Sequence, residues 1–192
     1  MLVNMSSDGT APGGLEVVRA FLNTWEIPND TRVPVDRLDA LAAVPARWEE
    51  ALPGLPAPAP ESVDDLRRLR AGLREQLGRT HPAGLAAHLD RHPLVVTLGA
   101  APPEPPVRLR PATPGTAGVL LAHAVGAIGD GLWHRLKACP DCRWVFYDTT
   151  RNAGRVWCAM TADGPGRRGC GAIAKTRAHR ARARAAHWEA TS

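Results

Sequence analysis

Apolar residues recur through the first part of the chain at intervals of three and four, the period that gathers them on one face of a helix. In LEVVRAFLNTWEI, residues 15–27, Leu15, Val18, Phe21, Leu22 and Trp25 share such a face, which predicts a helix over the whole segment. VDRLDALAAVPARWEEAL, residues 35–52, repeats the pattern with Leu38, Leu41, Trp48 and Leu52. Pro45 lacks the N–H that a helix interior uses, so it divides or kinks this segment. PGLPAPAPES then reads as a linker. ESVDDLRRLRAGLREQLGR sets Leu66, Leu69, Leu73 and Leu77 on one face, with Ser62 placed to cap the first turn and Gly78 to end the last.

Further on the pattern changes. LVVTL at 94–98 and VRLR at 107–110 are short runs separated by a proline-rich turn, which predicts two strands, and a long helix is expected over 117–137. No internal repeat is evident. The fold class is therefore α+β: a flexible N-terminus at 1–14, a mostly helical N-terminal domain with a small β element at 15–132, and a C-terminal module at 133–192. The helix at 117–137 is expected to run straight into Cys139.

Hydrophobic residues at 44% and charged residues at 22% lie near globular norms, so the 18 prolines and 18 glycines imply loop-rich connections and not wholesale disorder. The N-terminal MLVNMSSDGTAPGG lacks the basic and apolar regions of a signal peptide. No apolar run approaches the roughly 20 residues that span a bilayer. These features predict a cytoplasmic protein without a membrane partner. The net charge of +5 is unevenly placed: residues 133–192 hold 12 Lys/Arg against 4 Asp/Glu, and residues 1–132 hold 12 against 15. A basic end on a slightly acidic body suggests a polyanion partner for that end.

All four cysteines fall in the basic part, as Cys139, Cys142, Cys158 and Cys170, spaced C-x2-C-x15-C-x11-C. A C-x2-C knuckle turns two thiolates toward one ion, and four thiolates complete the tetrahedral shell of a structural Zn²⁺ with no position left for substrate. The segment between the second and third cysteines, RWVFYDTTRNAGRVW, reads as a hairpin turning at Asn152-Ala153-Gly154, with Cys158 after the returning strand. A redox Cys139/Cys142 pair and unrelated buried thiols are the competing readings. His134 or His179 stands in if Cys170 does not reach the ion.

RLKACPDC, VFYDTTRNAGRVWCAM and CGAIAKTRAHRAR together resemble the CGNR zinc finger. Upstream, FLNTWE at 21–26, the helix containing Trp48 and LRAGLREQL at 69–77 resemble the ABATE domain that precedes this finger in stress-induced bacterial transcription regulators. The resemblance implies that the four cysteines are zinc ligands, and that Asp148, Thr150, Arg151, Trp157 and Lys175 occupy further motif positions. After Cys170-Gly171 the chain has Ala172 and Ile173 where the family's Asn and Arg would stand, and its loop before Cys170 is longer than that of the family.

From Cys170 onward a helix is expected, with Ala174, Ala178, Ala181 and Ala185 forming a narrow stripe that faces the protein. Lys175, Arg177, Arg180, Arg182 and Arg184 flank that stripe and are the candidate contacts to double-stranded DNA. A solvated basic helix is the plainer reading. Trp144, Phe146, Tyr147 and Trp157 are expected to pack the module's core, with base stacking as the alternative. Asn23 and Arg70, polar residues among apolar helical positions, are candidate contacts to a small-molecule effector, unless they satisfy backbone groups or nearby carboxylates such as Glu26.

The C-terminal module therefore reads as a zinc-ribbon or treble-clef-like unit ending in a basic helix, and the chain as a non-enzymatic, zinc-dependent DNA-binding regulator. A non-catalytic module for protein–protein interaction is the alternative. Neither a catalytic triad order, a phosphate loop nor an open metal site is present in the motifs. A single small module binds specific DNA weakly, which makes a homodimer reading two half-sites the assembly to test.

Overall fold

The computed structural model describes residues 9–59, 62–101, 106–162 and 169–191. Most of the expected flexible N-terminus, the tip of the glycine-rich loop at 163–168 and the side chain of Glu189 lie outside the described residues.

α1 (Gly14–Leu22) buries Leu15, Val18, Phe21 and Leu22, as its periodicity predicts, but it ends earlier than expected. Asn23 and Thr24 are short polar side chains that compete for backbone groups. Thr24 Oγ1 donates to Phe21 O at 2.7 Å, while the Asn23 amide is engaged by another element. The chain leaves the helix as β1 (Trp25–Glu26), antiparallel to β2 (Val35–Asp36).

Pro45 does divide the next pattern, into α2 (Leu38–Ala42) and α3 (Pro45–Ala51), where it occupies the first turn and its missing N–H costs nothing. The following linker is pinned at its start. Leu55 is buried, its carbonyl accepts from Trp48 Nε1 at 3.0 Å, and Thr116 Oγ1 donates to Pro56 O at 2.7 Å.

α4 (Val63–Glu75) buries Leu66, Leu69 and Leu73. Ser62 does not cap it; its hydroxyl donates to Ala59 O. Gly78 closes the helical segment with φ +73, a conformation suited to glycine, and its N–H donates to Leu136 O at 2.9 Å. A 3₁₀ turn (Ala83–Leu85) and α5 (Ala86–Arg91) follow.

β3 (Leu94–Leu98) and β4 (Val107–Pro111) form the expected hairpin, with Leu98 opposite Val107 and Leu94 opposite Pro111. α6 (Thr116–Gly129) is shorter than the helix expected at 117–137. Asp130 ends it, Gly131 turns with φ +68, and a 3₁₀ turn (Trp133–Arg135) leads into β5 (Leu136–Ala138). A turn and a strand, and not a continuous helix, thus deliver the chain to Cys139. β5 pairs antiparallel with β6 (Val145–Tyr147), and α7 (Cys170–Thr191) ends the fold.

The main core gathers α1, α3, α4 and α6 around Phe21, Trp48, Leu69 and Leu120, and the same cluster contains Leu136, Val145 and Tyr147 from the C-terminal hairpin. A smaller cluster holds the four cysteines and Phe146, with Trp144, Trp157 and Ala159 packed against it. Strand alternation explains the division: Val145 and Tyr147 face the body while Phe146 faces the cysteines. The core therefore runs across the boundary expected at 132/133.

Candidate metal centre

β5 carries the chain to Cys139 and β6 carries it away after Cys142, so the knuckle is the turn of this hairpin. Arg143 adopts φ 61 to close it, with its N–H donating to Cys139 O at 2.9 Å and Cys139 N–H donating to Trp144 O at 2.9 Å. This differs from the hairpin expected over 143–157. Residues 148–157 form a loop instead, with Ala153 at φ 47 in its turn.

Asp148 organises that loop. Its fully buried carboxylate accepts from Lys137 Nζ at 2.8 Å, Thr150 N at 2.9 Å, Thr150 Oγ1 at 2.6 Å and Arg155 N at 2.7 Å. Burial raises its pKa, but these bonds outweigh burial and hold the carboxyl well below the usual carboxylate range. Lys137 also donates to the Ala153 and Arg155 carbonyls, and the Arg155 guanidinium returns to the Trp157 and Cys158 carbonyls. Asp148 and Thr150 thus have scaffold roles, and Cys158 is positioned by a hydrogen-bonded loop, not by a returning strand.

Cys170 arrives from the far side as the first residue of α7. Gly171 N–H donates to Ala159 O at 2.9 Å and Ala172 N–H to Met160 O at 3.0 Å, which fastens the first turn to the segment after Cys158. Ala172 is exposed and Ile173 half-buried.

The four sulfurs lie within 4.8 Å of one another and all four residues are buried. Cys142 Sγ is 3.4 Å from Cys158 Sγ, and Cys158 Sγ is 3.8 Å from Cys170 Sγ. Tetrahedral Zn²⁺ with Zn–S near 2.3 Å places its sulfurs about 3.8 Å apart, so the donor set fits this ion. Contact with Cys139 and Cys142, and then burial, push the Cys158 thiol up; burial and the neighbouring sulfurs do the same to Cys170. Hydrogen bonds from Cys142 and Cys158 favour the thiolate at Cys139. Four buried thiolates at this spacing need a cation, and Zn²⁺ meets that need with no coordination position left over. Such an ion holds the knuckle, the loop and α7 together. With all four cysteines in one cluster, the redox-pair reading has no separate Cys139/Cys142 site to rest on, and His134 and His179 are not part of the cluster.

The basic residues of α7 lie beyond this anchor. Lys175, Arg177, Arg180, Arg182 and Arg184 are all exposed. So are Ala178, Ala181 and Ala185, with only Ala174 half-buried, so the alanine stripe does not face the protein as expected; every residue from 175 to 185 is exposed. Arg177 alone of the five has an ion pair among the described residues, to Asp141 Oδ1 at 3.3 Å.

Asn23 and Arg70 are buried, and both are used internally. Asn23 Nδ2 donates to Val145 O at 2.9 Å and its Oδ1 accepts from Val145 N at 2.8 Å. Arg70 donates to Thr24 Oγ1 at 2.7 Å and pairs through both terminal nitrogens with Asp36. Their expected pairing around an effector gives way to the plainer reading, with Asp36 as the carboxylate in place of Glu26.

Sequence reasoning missed Lys137, Asp141, Arg32 and Arg74. Arg74 reaches from α4 to Leu22 O at 2.7 Å and Arg143 O at 2.6 Å, and Arg32 donates to Asp141 O at 2.7 Å. Burial, then Arg143 and Arg70, lowers the Arg74 pKa to about 10. These contacts clamp the knuckle onto the body through its backbone, which carries no residue-type signal; only the polar side chains among apolar helical neighbours hinted at them.

Residues 135–183 match the family model of the CGNR zinc finger. No curated protein matches the chain. No helix among the described residues is long and apolar enough to cross a membrane.

Proposed function

We propose that the chain is a zinc-dependent, DNA-binding transcription regulator that acts in the cytoplasm and uses α7 as its contact to the duplex. The observation that carries this reading is a helix rooted at the metal centre through Cys170 and then exposed on every side from 175 to 185, with five basic residues in that stretch. At 1.5 Å per residue α7 is about 33 Å long, close to one turn of duplex DNA. The exposed alanines suit the same purpose, because small side chains let a helix backbone approach a groove wall while the flanking arginines reach phosphates. Arg177 serves more as an anchor, since Asp141 already offsets its charge.

The absence of the family's Asn and Arg after Cys170-Gly171 shifts the burden to Arg180, Arg182 and Arg184. The resemblance of the body to the ABATE domain extends the reading to a stress- or ligand-responsive regulator, with a homodimer supplying two such helices. The alternative, a zinc module that docks an acidic protein surface, draws on the same exposed charge.

Fluorescence anisotropy with a labelled generic duplex at low salt separates the two. The zinc-loaded chain should bind, and the combined Arg180→Ala, Arg182→Ala and Arg184→Ala variant should bind at least tenfold more weakly with its zinc content unchanged. Equal affinity of the two proteins would reject α7 as the contact and move the protein-interaction reading to first place.

A further inference from the structure

β3 and β4 form a two-stranded sheet, so each has one edge without a strand partner among the described residues. The ladder between them fixes which backbone groups lie on those edges. Ala112 N–H donates to Pro93 O at 2.8 Å and Gly99 N–H to Pro106 O at 3.2 Å. Hydrogen-bonded pairs alternate along an antiparallel ladder, so between these ends Val95 bonds across to Arg110 and Thr97 to Arg108. The N–H and C=O groups of Leu94, Val96 and Leu98 therefore point away from β4, and they have no backbone partner among the described residues.

The side chains of the same three residues share one face of the hairpin with Val107, Leu109 and Pro111. This is the α6 side, because a Cβ on Gly118 would lie 2.5 Å from Pro111 Cβ. α6 covers only part of it. Leu94 and Leu109 are half-buried, but Val96 is 65% and Leu98 80% exposed, and Val95 on the other face is 43% exposed.

The two edges are built differently. Folded proteins protect an open strand edge with charge, proline or a bulge. β4 carries the exposed Arg110, and Pro111 lacks the N–H that its outer edge would otherwise present. β3 is LVVTL, without charge or proline, and it pairs residue for residue along its length with no bulge. An apolar, unprotected edge of this kind is a template for another extended strand.

β3 itself is a strand that fits. With Val96 of one copy opposite Val96 of the other, Leu94 falls opposite Leu98 in both directions, and every outward N–H meets a C=O. Valine then lies beside valine and leucine beside leucine on the α6 side, and Val95 beside Thr97 on the other, with no like charges opposed. The same arrangement of β4 about Leu109 is incomplete, because Pro111 has no N–H to give to Val107. A β3 pair also leaves β4 outermost in each copy, so the assembly closes at two.

We propose that the chain forms a homodimer by antiparallel pairing of the two β3 edges about a two-fold axis at Val96, which joins the hairpins into one four-stranded sheet. The pairing supplies the homodimer that the DNA reading calls on, but it rests on the hairpin alone and is measured without DNA.

Sedimentation velocity of the zinc-loaded full-length chain at rising concentration tests the proposal. The chain should reach the mass of two copies and grow no further. Val96→Lys and Val96→Glu should each weaken self-association at least about tenfold, because like charges then meet at the axis, and their equimolar mixture should recover the dimer. The exposure of Val96 lets both variants keep their zinc content and far-UV signal. Val107→Lys, on the same face but on the outer strand, should leave the dimer intact. A chain that stays monomeric throughout would overturn the proposal, as would growth beyond two copies, a dimer indifferent to both Val96 variants, or a mixture of them that stays monomeric. Dissociation by Val107→Lys as complete as that by Val96→Lys would assign the contact to the apolar face and equally reject the edge pairing.

Discussion

Asp148→Asn removes the charge that Lys137 faces and leaves an amide where four donors now converge on a buried carboxylate. Breaking such a pair on one side should cost about 2–4 kcal/mol. Chemical denaturation of the zinc-loaded protein measures this, and a loss under about 0.5 kcal/mol would mean that the loop is held by other contacts. At the ligands themselves, metal analysis should find one zinc per chain, because the four thiolates close a single tetrahedral shell. Cys142→Ser or Cys158→Ser should abolish it and collapse the near-UV signal of Trp144 and Trp157, which pack on the cysteines. Full metal content in Cys170→Ser would remove Cys170 from the ligand set. The cysteines were legible in the sequence because their spacing is itself the signal. Asp148 drew notice only through the family resemblance, and Lys137 not at all, since a lone lysine beside a strand looks like any surface cation.

Among the elements, periodicity identified the faces of α1 and α4 and the hairpin of β3 and β4, and Pro45 marked the break between α2 and α3. It failed where tertiary partners decide. α1 stops because Asn23 is taken by the backbone of Val145, a contact across 122 positions that no local pattern encodes. Asn23→Ala should therefore do more than trim a helix end: it strands a buried N–H and a buried C=O on β6 and should destabilise the protein by about 2–3 kcal/mol. Thermal unfolding would show this, and an effect as small as that of an exposed substitution would contradict the assigned bond. α6 reads as longer than it is because Leu132, Trp133 and Leu136 continue its apolar run, although Gly129 and Gly131 interrupt it. The alanine stripe of α7 misled in the opposite way. Small residues at helical spacing look the same whether they pack against a body or stand in solvent, and here Ala178, Ala181 and Ala185 are exposed.

Considered whole, the molecule is less divided than its charge distribution suggests. Leu136, Val145 and Tyr147 belong to the same core as Phe21 and Leu69, while Gly78, Arg74 and Arg32 tie the body to the hairpin and its knuckle. A fragment beginning at residue 133 should bind zinc but show lower solubility or a lower Tm than the full chain, because it exposes that shared apolar surface. A fragment as stable and soluble as the full chain would contradict the shared core. The basic end, legible from arginine counts alone, acquires its meaning from this arrangement: the metal centre and the segment after Cys158 hold one end of α7, and residues 175–185 stand exposed.

The salt dependence of duplex binding tests that meaning most directly. Lys175, Arg180, Arg182 and Arg184 have no ion pair among the described residues and can neutralise about four phosphates. At about −0.9 per phosphate, log K against log salt should fall with a slope of roughly −3 to −4. Arg180→Ala or Arg184→Ala should each make it shallower by about one, and Arg177→Ala by less, because Asp141 competes for that side chain. A slope near zero, or one that the Arg180 and Arg184 substitutions leave unchanged, would contradict the assignment of α7 as the nucleic-acid contact.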